Sequence, residues 1–215
     1  SGTAAADSSS SSSPGSSEKT TTTTTLPAPW PVSLRMRLRC VVVASNSTEV
    51  ARHEALNEVV IDRGESPFLS AVDCFCNDEH LTTVQADGLI VATPTGSTAY
   101  SLAAGGPMLH PSSPSIVLTP ICAHSLSFRP IVFPDSANLT FQIDDLARDD
   151  AWVTFDGRKK VRLERGDFLH VSASPHPIPT LLRFGNTADW FNALKGAFQF
   201  NQRPRQKPLV LPEGS

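Results

Sequence analysis

The dominant hydrophobic spacing in this chain is two, and that period limits what it can fold into. Leu34, Met36, Leu38 and Cys40 alternate with Arg35, Arg37 and Arg39, which sets apolar and charged side chains on opposite faces and predicts one half-buried strand. Leu139, Phe141 and Ile143 alternate with Thr140 and Gln142 and predict another. Trp152 to Phe155 runs into Asp156-Gly157, the strongest short hairpin signal, with a second arm through Val161 and Leu163. Arg165-Gly166 turns again into Phe168 to Val171. Val72 to Cys76 and Leu81 to Val84 predict a hairpin across Asn77-Asp78-Glu79. Short strands about ten residues apart, divided by turn signals, predict a mainly β fold, an antiparallel sandwich or barrel.

The ends do not share this pattern. Residues 1–33 carry Ser8 to Ser13, Thr20 to Thr25 and the Pro-rich Leu26 to Pro31. Such a segment has no apolar surface to offset its ordering entropy and is expected to be disordered. Residues 34–188 are expected to form the β-rich domain, large enough for a core of its own. Asp189 to Phe198 places Trp190, Leu194 and Phe198 on one helical stripe, predicting a helix over 189–200 with an apolar face for another surface. Gly196 weakens that helix by about 1 kcal/mol relative to Ala. Residues 201–215 read as a Pro-broken tail.

Composition removes several function classes. The net charge is −3 and the pI about 6.0, which argues against a nucleic-acid or membrane-surface partner. No apolar run approaches the ~20 residues of a spanning helix. Cys74-x-Cys76 with nearby His80 lacks a second ligand pair for zinc. The four scattered cysteines read as reduced thiols of an intracellular protein, cytoplasmic or organellar. Asp144-Asp145 and Asp149-Asp150 read as solvated loop carboxylates.

The segment from Asp87 to Gly106 carries the chemistry. Buried-strand residues Leu89 to Val91 end at Thr93-Pro94-Thr95-Gly96, and small residues follow up to Gly105-Gly106. It has no lysine for a P-loop, no Gly-x-Gly-x-x-Gly and no Gly-x-Ser-x-Gly elbow. Thr98 to Ala104 is either a ligand-cradling turn opening a short helix or a plain capped helix. Ala99, Ala103 and Ala104 leave room for a flat ligand or a packed neighbour.

Asn57 to Gly64, Asp87-Gly88 through Gly106, and Ile121 to Pro130 resemble the signature segments of NAD kinases, of the eukaryotic type. Phe155-Asp156-Gly157-Arg158 and Asp189-Trp190-Phe191 match more weakly, and the likeness runs from about Ser33 to Pro208. The resemblance implies the family's C-terminal, β-sandwich-like domain and a role in phosphorylating the adenosine-ribose 2′-hydroxyl of NAD with ATP. It implies that Asn57 and Glu58 meet the adenosine ribose and base, and that Asp87 takes the nicotinamide carboxamide. Thr98, Ala99, Tyr100 and Ser101 would line the dinucleotide, with Arg158 near it. It implies ATP and Mg²⁺, or another divalent cation, for the complete enzyme, and a homodimer or homotetramer. Two departures are Ala123, where relatives usually have Pro, and Gln85, where some have a basic residue.

The family's Gly-Gly-Asp-Gly segment, which positions the triphosphate and supplies the base, is not found in these 215 residues. The isolated chain is therefore expected to bind NAD without phosphorylating it. A non-catalytic dinucleotide-binding or regulatory module is the alternative.

Overall fold

The structure, a computed structural model, describes residues 30–144 and 147–198. The stretches expected as a disordered leader (up to residue 29) and a tail (201–215) lie outside the described residues, as does Asp145. Strands β1 (Val32–Arg35), β2 (Leu38–Val43), β3 (Glu49–Ala55), β4 (Glu58–Asp62), β5 (Ser70–Cys76), β6 (Glu79–Ala86) and β7 (Gly88–Ala92) lead to a short helix, α1 (Tyr100–Ala103). There follow β8 (Ser115–Ile121), β9 (Ile131–Pro134), β10 (Leu139–Ile143), β11 (Ala151–Phe155), β12 (Lys159–Leu163), β13 (Phe168–Ala173), β14 (Ile178–Leu181) and a terminal helix, α2 (Asn186–Phe198).

Two six-stranded antiparallel sheets carry the fold, ordered β3-β2-β13-β10-β5-β6 and β12-β11-β4-β7-β8-β9. Alternate residues of both sheets point to one shared core. Leu38, Cys40, Val42, Phe141, Leu169 and Val171 of the first sheet meet Val59, Ile61, Leu89, Val91, Leu118 and Val153 of the second. The mainly β, sandwich-like architecture read from the period of two is therefore the one observed. The free thiols follow from the same packing: Cys40 and Cys74 are buried core residues, and burial pushes the Cys74 thiol up to about 12.

The hairpins are where turn chemistry put them. Asp156 and Gly157 both take positive φ and join β11 to β12. Asn77 and Asp78, also at positive φ, join β5 to β6. That loop is two residues, since Glu79 already pairs with Cys76.

The strand expected from Leu34 to Cys40 is two strands. β1 pairs with β14 in a separate two-stranded ribbon, and β2 pairs with β3 and β13 in the large sheet. The chain breaks at Met36-Arg37 because Arg37 has its own partners: its guanidinium donates to the His176 carbonyl and pairs with Glu54. The break also resets the facing. Ser33 points inward while Val32 and Leu34 are 54% and 64% exposed. β1 starts within the segment expected to be unordered through residue 33.

Helix α2 begins three residues before the expected Asp189. The Asp189 carboxylate accepts from the Arg183 and Phe184 amides, which fixes the approach to the helix. Its expected apolar stripe is divided: Leu194 is buried, Trp190 lies edge-on to His110, and Phe198 stays largely exposed with Phe191. Thr187 and Asn186 bond His110 and Ser112, so α2 rests on the loop after α1. Nothing lies within 4 Å of a Cβ built on Gly196. Gly196→Ala is therefore expected to stabilise the chain by up to ~1 kcal/mol, seen as a raised urea midpoint at unchanged slope. A lowered midpoint would mean this face is already covered.

No helix among the described residues is long and apolar enough to cross a membrane. The carboxylate Asp150 is not simply solvated, because Arg162 donates to it from Nε at 2.9 Å.

Candidate functional site

β4 lies between β7 and β11, with Glu58 opposite Ala92, Val60 opposite Thr154 and Asp62 opposite Trp152. Odd positions Val59 and Ile61 enter the sandwich core, so the alternation turns Glu58, Val60 and Asp62 to the outer face of that sheet. Part of this face is covered: Val60, Ile90, Ala92 and Val117 pack against Ala104, Leu109 and Ile121. Beside the cover lies a cavity of about 390 Å³, within the usual range for small-molecule sites. Val60, Ile121 and Thr154 line it together with Glu58, Asp62, Asp87, Tyr100 and Arg63.

Its polar lining is mostly acidic. Glu58, Asp62 and Asp87 face one cation among the lining residues, Arg63, whose Nε donates to Asp87 Oδ1 at 2.8 Å. Asp62 is engaged locally, taking the Gly64 amide at 2.7 Å. Glu58 is the unusual member. Its residue is buried, and Oε2 is a buried oxygen with no hydrogen-bond partner. Burial raises its pKa above the usual glutamate value and the nearby Asp156 charge adds to that, while a backbone hydrogen bond from Tyr100 opposes both. An unsatisfied buried acceptor is costly unless a ligand donates to it.

The turn that presents Glu58 has every backbone polar group from Leu56 to Glu58 satisfied. Asp156 accepts the amides of Leu56 (2.8 Å), Asn57 (2.8 Å) and Glu58 (3.1 Å), and its own amide donates to the Glu58 carbonyl. From the other side, Thr93 Oγ1 donates to the Leu56 carbonyl at 2.7 Å and the Thr93 amide to that of Asn57. Gly96 allows this close approach, since a Cβ there would sit 2.0 Å from the Asn57 carbonyl oxygen. The Thr-Pro-Thr-Gly turn thus acts first as a brace for Asn57-Glu58.

The expected site residues separate into groups. Glu58, Asp87 and Tyr100 come together around the cavity. Asn57 stands next to Glu58, while Thr98 and exposed Ala99 belong to the short turn leading into α1. Ser101 is fully buried, and its hydroxyl is bonded to Thr119 at 2.9 Å. Arg158 is exposed on the β11–β12 turn, and it is Gly157 that reaches the cavity wall. Asp62, Arg63 and Asp156 were not singled out from the sequence. The first two lie within the matching Asn57–Gly64 segment, in the Asp-Arg-Gly turn that closes a strand; Asp156 was legible as a hairpin residue within the weakly matching Phe155–Arg158 segment, with no site role attached.

A two-sheet β domain with an acidic cavity on one outer sheet face is the class this geometry defines. The chain belongs to the NAD kinase family: the ATP-NAD kinase C-terminal domain matches residues 56–182. It is 50% identical over 179 residues to a probable chloroplastic NAD kinase of Oryza sativa subsp. japonica, covering 83% of this chain and 18% of that protein. It is 44% identical over 193 residues to an ATP-NADH kinase of Saccharomyces cerevisiae, covering 83% of this chain and 39% of that one. The crystal structure of yeast NADH kinase complexed with NADH superposes with a TM-score of 0.76 at 35% identity, over 83% of this chain and 51% of that one. The chain thus spans well under half the length of these two curated relatives.

Proposed function

We propose that this chain is the dinucleotide-holding part of an NAD kinase, the enzyme class that moves the ATP γ-phosphoryl group to the adenosine-ribose 2′-hydroxyl of NAD. The observation that supports this most is the Glu58 carboxylate: the residue lines a ligand-sized cavity, and its Oε2 is a buried acceptor without a hydrogen-bond partner. A ribose hydroxyl is the kind of donor that such an oxygen lacks, and a charge-assisted bond there is worth about 1.5–3 kcal/mol. Asp87, already oriented by Arg63, has further acceptor capacity for a carboxamide NH₂. The Tyr100 ring, at the same wall, offers a face to a base or pyridine ring.

In this reading the chain positions the acceptor substrate. Asn57 and Glu58 fix the ribose, and the cavity floor of Val60 and Ile121 keeps water from one side of it. The site residues Thr98, Ala99, Ser101 and Arg158 take a smaller part; Ser101 supports α1 through Thr119, and Thr98 and Ala99 lead into α1, whose first residue, Tyr100, lines the cavity. ATP is the second substrate of the complete enzyme. The Mg²⁺ that would travel with it finds no donor set here: no group of three or more His, Cys, Asp or Glu among the described residues is placed to hold a metal ion. We assign no step of the transfer to a metal held by these residues. A second copy of the chain, in a dimer or tetramer, or a further domain is the natural partner for the exposed Phe191 and Phe198 of α2.

Calorimetric titration of NAD into the 215-residue chain tests the reading. Saturable binding with about one site per chain is expected, together with no NADP formed when ATP and Mg²⁺ are supplied. Absence of binding at millimolar NAD would overturn the dinucleotide site. Robust NADP formation would overturn the assignment of the transfer machinery to another part of the enzyme.

A further inference from the structure

Asp156-Gly157 satisfies two demands at once, and only one of them is a turn. Any residue that tolerates positive φ closes a hairpin of this kind, and Asn and Gly do so as readily as Asp. The carboxylate does something a turn does not require. It accepts three successive backbone amides, from Leu56, Asn57 and Glu58, across about one hundred residues of sequence. It does not line the cavity itself. Thr93 and Gly96 close one side of the Leu56–Glu58 turn, and Asp156 holds the other.

We propose that Asp156 is a positioning residue for substrate binding: its carboxylate, acting through the backbone of Leu56 to Glu58, sets where Asn57 and Glu58 meet the ligand. This rests on the cavity being the dinucleotide site. The arrangement is charge-assisted and convergent. Three N–H groups aimed at one carboxylate make stronger and more directional bonds than neutral acceptors would. The same negative charge stands close enough to Glu58 to favour the protonated form of its side chain, which supports the short path between the two groups.

The test compares Asp156→Asn and Asp156→Gly, both compatible with the turn, with Glu58→Gln and the double variant Asp156→Asn/Glu58→Gln. Each is made in the full chain, and NAD affinity is measured by calorimetry alongside the thermal midpoint. Asn keeps one carbonyl oxygen for the amides, whereas Gly keeps none. The expected order of affinity is Asp, then Asn, then Gly, with Gly weakened about tenfold or more, as for a displaced contact in a preorganised site. Amide exchange at Leu56, Asn57 and Glu58 is expected to rise in the same order. In the Glu58→Gln background, the Asn substitution is expected to lose at least about a threefold part of its effect, because coupled groups do not add. Equal affinity across Asp, Asn and Gly, or full additivity in the double variant, would overturn the positioning role and leave the turn as the residue's only task. If the unmodified chain does not bind NAD, the dinucleotide reading falls, and the role in its recognition falls with it.

Discussion

Replacing Glu58 by Gln is expected to weaken NAD binding about ten- to a hundredfold while making the unliganded chain more stable at neutral pH. The first half follows from the loss of a charge-assisted hydrogen bond, worth about 1.5–3 kcal/mol. The second half follows from linkage. Burial raises the folded-state pKa of Glu58 above its unfolded value, the Asp156 charge raises it further, and the Tyr100 backbone bond only partly opposes them. Between those two values the folded chain holds the proton more tightly than the unfolded chain does. Stability from the protonated group is therefore complete below the unfolded pKa and is lost as pH rises through the raised folded one. At pH 7 the ionised, partly unsatisfied carboxylate is a net cost that Gln removes. For a chain of this size each kcal/mol moves the thermal midpoint by roughly 2–4 °C. The gap between the variant and the parent should close as the pH is lowered through this window. A Gln variant that melts below the parent at pH 7, or that binds NAD equally well, would contradict this account.

Gly96→Ala is expected to be the most damaging Gly→Ala change among the described glycines. The added Cβ would stand 2.0 Å from the Asn57 carbonyl oxygen and 2.4 Å from its carbonyl carbon, and both are backbone atoms that a rotamer change cannot move. Either the Thr93–Gly96 turn or the Leu56–Glu58 turn must shift, and both are bonded in place. A cost of about 3 kcal/mol is expected, at the upper end for overpacking. NAD affinity should fall as well, because the shift displaces Glu58. The contrast with Gly196→Ala in α2 makes the comparison sharp: the same chemical change is expected to stabilise there. Urea unfolding of the two variants side by side decides it, and a Gly96→Ala chain as stable as the parent would show that the two turns are not in the contact described.

The sheets were legible in the sequence because alternation and turn chemistry are local. Asp156-Gly157 and Asn77-Asp78 fix hairpins through backbone preferences that two residues carry by themselves. The break at Met36-Arg37 was not legible, since the apolar alternation runs straight through it. The partners that impose it, Glu54 and His176, lie elsewhere in the chain. The same reason separates what was and was not visible of the site. Glu58, Asp87 and Tyr100 sit in segments whose composition, with the family resemblance, already marked them. Asp156 acts on residues 98 to 100 positions earlier, and nothing local to a hairpin says which amides will converge on it. Arg158, two residues on from Asp156, has its side chain exposed on the same turn.

The order in which strands are joined also constrains how the molecule comes into being. β2 finds its neighbour in β13, β4 in β11 and β1 in β14, so early segments are completed only by late ones. As the chain is made, the residues up to about 100 can close the β2–β3 and β5–β6 hairpins and the β4–β7 pair, yet the β4 sheet lacks its edge until β12 ends at Leu163 and the β2 sheet is not whole until β13 ends at Ala173. Pairings of such long sequence separation are slow, because chain closure must be completed before burial rewards it. Until Asp156 is made the Leu56–Glu58 turn has no carboxylate to hold it, so this wall of the cavity takes its shape only after the β4–β7 pair beside it can already form.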